Sequence, residues 1–194
     1  MKKWLIPVGI IVVLIAIIAF WSIGIKNNGL KYNQAVNKEW GNVETAYQRR
    51  TDLIPNLVNT VKGTADFEKS TLTDVITARS KATAVTIDPT NVTPQQLEQF
   101  NQAQSNVSSS LSRLLVTVEK YPDLKATESF KKLQDELAST ENQILTARTR
   151  FNEAVQEYNG YILAIPNNWF LGQYKEKPYF KSVTGADKPV EVKF

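Results

Sequence analysis

The stretch ATESFKKLQDELASTENQILTARTRFNEAVQEYNGYI, Ala126 to Ile162, decides how the rest of the chain is read. Phe130, Leu133, Leu137, Thr140, Ile144, Ala147, Phe151, Ala154, Tyr158 and Tyr161 recur at alternating spacings of three and four, with no Pro or Gly before Gly160. That spacing predicts one long amphipathic helix, about 55 Å from end to end at 1.5 Å per residue. Its other face is charged, with Glu128/Lys132 and Lys131/Asp135 one helical turn apart. A single apolar stripe has to be covered, so partner helices are required.

Working outward, two earlier segments repeat the heptad. Val36, Trp40, Val43, Tyr47, Ile54, Leu57 and Val61 form one stripe, with Arg50 in a core slot and Pro55 inside the pattern. Thr51 or Asp52 is suited to cap a second helix there, but the unbroken phase favours one helix kinked at Pro55. Leu97, Phe100, Gln104, Val107, Leu111, Leu114, Val118 and Tyr121 form the other stripe, opened by the capping box Thr93-Pro94-Gln95-Gln96. A shorter helix carries Leu72, Val75, Ile76 and Arg79 on one face and ends near Ala84. Turns are expected at Gly63-Thr64 and Pro122-Asp123, and the longest loop at Thr83 to Val92. The fold expected is all-α: an antiparallel four-helix bundle over residues 27–163, with crossing angles near about 20°. A coiled coil that pairs between chains is the alternative.

Before the bundle, Trp4 to Ile23 is uncharged and dominated by Ile, Val, Leu and Ala. A run of that length spans the roughly 30 Å hydrocarbon core, and residues 4–25 are expected to be a transmembrane anchor with Trp4 and Trp21 near the interfaces. It exceeds the apolar core of a signal peptide and lacks a small-x-small cleavage site. Lys2 and Lys3 precede it while Lys26, Lys31 and Lys38 follow, so charge bias fixes no side of the membrane. Asn27-Asn28-Gly29 reads as a breaker between anchor and bundle.

Composition restricts the chemistry. There is no Cys and no His, which removes thiolate nucleophiles, disulfides and the commonest general base and metal ligand. Of 23 basic residues, Lys2 and Lys3 precede the anchor; the remaining 21 face 19 acidic ones without a basic block, so nucleic acid is not an expected partner. Among the carboxylates Glu119, Asp123, Asp135, Glu136 and Glu141 no convergent pair is evident, and no Glu-x-x-His or Gly-rich phosphate loop occurs. No enzyme activity, metal or cofactor is expected. The lipid bilayer is one partner, through residues 4–25.

Several ordered motifs resemble the LemA family of bacterial membrane proteins: Tyr32-Asn33 followed by Trp40, RRTDLIPNLV from Arg49 to Val58, Ala78-Arg79, and VEKYPDLKA from Val118 to Ala126. Leu133 to Leu137, Thr140-Glu141-Asn142, Ala147-Arg148, Phe151-Asn152 and Tyr158-Asn159 continue the likeness over about residues 30 to 180. The resemblance implies one amino-terminal membrane helix in the bacterial cytoplasmic membrane and a helical domain. It implies no chemistry; a membrane protease as partner is an analogy. A scaffold or adaptor engaging other membrane proteins is expected, with a self-associating membrane-shaping coat as alternative.

Two groups of residues stand out as candidate sites. Counted from the distal turns, Arg50, Arg79 and Glu141 fall about 20–24 Å down their helices, which predicts one layer with Glu141 pairing Arg50, Arg79 or both. Beyond Ile162, residues 164–194 form an irregular tail rich in aromatics and Lys. Trp169, Phe170, Tyr174, Lys175, Tyr179 and Phe180 either cover one end of the bundle or touch the membrane surface or a partner. Pro189 to Phe194 is expected to be extended. Up-down topology puts Pro166 at the membrane-proximal end.

Overall fold

The computed structural model describes residues 4–64 and 67–181. Six helices account for the regular structure among them, and no strand occurs there: α1 Leu5–Lys62, α2 Lys69–Thr83, α3 Pro94–Val118, α4 Pro122–Ala126, α5 Glu128–Leu163 and α6 Asn167–Phe170. The expected extended piece at Pro189 to Phe194 lies outside the described residues.

α1 is one helix of 58 residues. The expected breaker at Asn27-Asn28-Gly29 is corrected: the helix passes through it unbroken. A mid-helix Gly costs only about 1 kcal/mol relative to Ala, which flanking turns and tertiary contacts outweigh. Gly29 is there for a different reason. A Cβ at this position would sit 3.3 Å from a methyl of Leu171, so the missing side chain lets the returning chain lie against the helix. α1 also runs through Pro55, and neither Thr51 nor Asp52 starts a second helix.

The first part of α1, from Ile6 to Ile23, is apolar on every side and exposed. It makes α1 the one helix among the described residues long and apolar enough to cross a membrane. From Val36 onward the heptad stripe turns inward: Val36, Trp40, Val43, Tyr47, Ile54, Leu57 and Val61 are all buried. This half lies along α5 in the most extensive helix pairing, while α2 pairs with α3 and touches α1.

At the start of α3, Gln96 N–H donates to Thr93 Oγ1 at 3.2 Å and Thr93 N–H donates back to Gln96 Oε1 at 2.9 Å. The reciprocal cap satisfies two otherwise orphaned donors. Thr127 caps α5, accepting from Phe130 N–H at 3.3 Å, and the five residues before it coil into α4.

The core divides in two. One apolar cluster, towards the apolar end of α1, contains Trp40, Tyr47, Phe100, Ile144, Phe151 and Phe180; the other, distal, contains Ile54, Leu57, Val75, Leu114, Phe130 and Leu137. A polar layer separates them.

Residues 164–181 are not a free tail. They fold into the short helix α6, where no helix was expected, and then run as an irregular strip beside α5. Pro166, which follows a cis peptide bond, lies at the end of the body nearest the apolar part of α1, where Phe170 meets Trp21 at 6.1 Å between ring centroids.

Candidate functional site

The polar layer is built on Arg50, which is 1% exposed in the middle of α1. One terminal nitrogen donates to Glu141 Oε1 on α5 at 2.8 Å and to Ser108 Oγ on α3 at 2.7 Å. The other donates to the carbonyl of Gln104 at 3.2 Å and to its side-chain oxygen. Tyr47, one turn earlier, presents its ring 5.1 Å from the guanidinium carbon. One planar cation thereby ties three helices, which suits Arg and not Lys because the donors diverge from a rigid fork. Glu141 is half-exposed, so the ion pair reaches from the core to the surface. Burial raises the Tyr47 phenol pKa, and the nearby Arg148 and Arg50 cations pull it back. A solvent-open groove of about 750 Å³ lies beside the layer, with buried Tyr47, Phe100 and Gln104 among its lining residues and exposed Glu44, Gln48 and Asp52 at its edge.

Arg79, the third residue of the expected layer, is bonded elsewhere. Its Nε–H donates to the carbonyl of Thr51 at 3.0 Å. Pro55 explains the choice. A proline has no N–H, so the carbonyl four residues earlier, that of Thr51, loses its helical donor. Thr51 is buried, and an unsatisfied carbonyl there would cost about 1–3 kcal/mol. Arg79 on α2 supplies the missing donor and joins α2 to α1. We expect Arg79→Met to cost about 1–2 kcal/mol beside Pro55 and less than half of that beside Pro55→Ala, where Ala N–H reaches Thr51. Urea unfolding of the four proteins of this cycle measures the coupling; equal costs in both backgrounds would separate Arg79 from the proline.

The second constellation holds the returning chain. Asn159 on α5 donates from Nδ2 to the carbonyl of Lys177 at 2.9 Å and accepts the N–H of Lys177 on Oδ1 at 2.9 Å. Asn152 does the same for Phe180, at 2.9 and 2.8 Å. Each carboxamide thus mimics a peptide group in a ladder. The spacing follows from geometry: seven residues of helix rise about 10 Å, and three residues of extended chain cover about the same. Tyr158 hydroxyl donates to the Lys175 carbonyl at 3.1 Å, and Arg148 donates to the Lys181 carbonyl at 2.8 Å while lying over the Phe180 ring. Burial raises the Tyr158 phenol pKa.

Of the residues expected at a surface, Trp169, Lys175 and Tyr179 are exposed, and Phe170 and Tyr174 are half-buried. Phe180 follows the covering alternative and not the surface one: it is buried, stacked on Trp40 at 6.0 Å and edge-on to Phe151. Lys177, one of the lysines of this tail, is buried too. Its ammonium donates to the carbonyls of Pro89 and Thr90, tying the strip to the α2–α3 loop. Asp88 in that loop accepts from Thr90 N–H at 2.9 Å, which holds its carboxyl below the usual range.

Burial lowers the Lys177 pKa to about 8, partly offset by the Asp88 charge. Between about pH 8 and 10.5 the unfolded chain therefore binds the proton that the folded chain has released, and stability rises with pH. The cost of burying the cation is whole below that window and absent above it. Relative to Lys177→Met, the parent should gain roughly 1–2 kcal/mol across the window, a figure reduced for screening near the surface. Urea unfolding at several pH values gives this difference, in which the tyrosine titrations largely cancel. A flat difference would put the ammonium in water.

No group of three or more Asp or Glu residues able to hold a metal occurs among the described residues. What the geometry defines is a helical protein in which one apolar helix continues into a body closed by a polar layer and a stapled carboxy-terminal strip. The chain belongs to the LemA family, whose family profile matches residues 39–194. It is 25% identical over 154 residues to Protein LemA of Metamycoplasma hominis, covering 79% of this chain and 67% of that protein. It is also 30% identical over 90 residues to Magnetosome protein MamQ 2 of Paramagnetospirillum magneticum, and 27% identical over 90 residues to Magnetosome protein MamQ of Magnetospirillum gryphiswaldense. These matches cover 45% of this chain and 33% of each magnetosome protein, so the chain spans about a third of their length.

Proposed function

We propose that this protein is a membrane-anchored, non-enzymatic scaffold or adaptor that presents a rigid antiparallel four-helix bundle to other membrane proteins. The observation that carries this reading is the continuity of α1. The helix leaves its apolar segment and enters the packed body without a joint, so the body is held at a set height and angle. A hinged tether would let it reorient; a continuous helix braced by Leu171 and by the Tyr161 hydroxyl, which donates to the Ile25 carbonyl at 3.1 Å, does not. The resident membrane is the bacterial cytoplasmic membrane, and a membrane protease is the partner suggested by family analogy.

Crosslinking in intact membranes followed by purification in mild detergent tests the reading. A reproducible second membrane protein is expected. Recovery of this chain alone, in multiples, would favour a self-associating, coat-like assembly. Topology is tested separately. The chain has no Cys, so a single Cys at Ser139 or at Gln173 can be labelled without background. Both positions should react from the same side of the membrane. Reaction from opposite sides would require a second crossing.

A further inference from the structure

The apolar segment of α1 is not alone at its end of the molecule. From Tyr158 to Tyr174 the sequence carries no charged residue, an uncharged run second to that of residues 4–25. The fold brings the two together. Phe170 packs edge-on against Trp21 at 6.1 Å, and Tyr161 packs on Tyr32 at 4.9 Å. Leu163 at the end of α5, Ile165 in the turn that follows and Trp169 in α6 are exposed, Ile165 to 74% and Trp169 to 72%. Side chains of this size are rarely left in water as a contiguous group.

Height along α1 says what covers them. Trp21 lies within the apolar run, and Lys26 follows it by about 7 Å of helix rise. Phe170 therefore meets α1 at a residue below the level at which the chain regains charge. Above it, Lys26 and Lys31 on α1 and Lys175 on the returning strip are exposed where lipid phosphates would lie. Apolar residues below and cations above match the order of a bilayer interface.

We propose that the turn Leu163–Phe170 is a second membrane-embedded element, inserted into the interface of the same leaflet beside the end of the α1 span. The proposal rests on the anchor reading. It adds that the body is fixed to the bilayer at two points, so that its rotation about the α1 axis is restrained as well as its height.

The test uses the full chain in vesicles of mixed zwitterionic and anionic phospholipid. Nitroxide labels are placed singly at Asn168→Cys, at Ile15→Cys within the span, and at Ser109→Cys on the exposed face of α3. Collision with oxygen, which concentrates in lipid, is compared with collision with a water-soluble nickel chelate. The ratio at 168 should exceed that at 109 several-fold and fall below that at 15. Adding Ile165→Asp and Trp169→Asp should bring 168 down to the value at 109 and leave 15 unchanged. A wet 168 with a lipid-facing 15 would overturn this proposal alone; a wet 15 would overturn the anchor reading and this proposal with it. Low access of both reagents at 168 would show protein covering the turn, and would also overturn it.

Discussion

Glu141→Ala should destabilise this protein more than Arg50→Met does, although Glu141 is 47% exposed and Arg50 only 1%. The order follows from what each change leaves behind. Without Arg50, the Glu141 carboxylate turns to water, and Met fills most of the guanidinium's volume; Gln104 and Ser108 lose a donor but border a solvent-open groove or α3 itself. Without Glu141, the guanidinium stays in the core with only the neutral acceptors Ser108 and Gln104. Stranding a fully buried charge costs about 3–5 kcal/mol, and the neighbouring groove reduces that to about 2–3 here. Arg50→Met should cost about 1 kcal/mol, because an apolar replacement of similar size often offsets a buried ion. The double variant should then be no worse than Arg50→Met alone, a coupling of about 2 kcal/mol. Urea unfolding of the detergent-solubilised chain measures all three. A Glu141→Ala loss below about 1 kcal/mol would mean that water already reaches Arg50.

The same layer shows how far the residues alone carry the fold. Regular helices have a fixed rise, so counting from the turns brings Arg50 and Glu141 to one height, and they are bonded there. Counting also brings Arg79 to that height but not its partner. The partner follows only when Pro55 is asked which carbonyl it orphans, and that question was available in the residues. The long stripes were legible for a similar reason: a heptad over many turns has a single geometric solution. Asn27-Asn28-Gly29 misled because local propensity is worth about 1 kcal/mol, less than the tertiary contacts around it. Gly29 is a space for Leu171, and a residue so distant in the chain leaves no mark in a local pattern. The strip from Leu171 to Lys181 reads in the sequence either as a cover of the bundle or as a surface contact, with no register on α5, because it has no period of its own. Its register is written in α5, in the repeated pairs Phe151-Asn152 and Tyr158-Asn159, where the aromatic fills the core and the Asn beside it holds the strip.

Removing that hold should release the strip. Replacing both Asn152 and Asn159 with Ala deletes four hydrogen bonds to the backbone of Lys177 and Phe180, each worth about 1 kcal/mol net. Phe180 then depends on its packing and on Arg148, which lies over its ring and bonds the next carbonyl. Burying a Phe contributes about 1.5–3 kcal/mol, while ordering the strip costs roughly 1–2 kcal/mol per residue in backbone entropy, so packing does not keep it in place. The double variant is expected to lose about 4 kcal/mol, and Asn159→Ala alone about 2. Hydrogen exchange localises the effect. The amides of Lys177 and Phe180, which donate to the two Asn side chains, should lose their protection, while those in the middle of α3 retain theirs. Asn159→Asp separates the two bonds, because it keeps the acceptor for Lys177 N–H but sets a carboxylate oxygen against the Lys177 carbonyl. It should fall between the parent and Asn159→Ala. Persistent protection at both amides in the double variant would show that Phe180 and Lys177 hold the strip by themselves, and the two asparagines would then be bystanders.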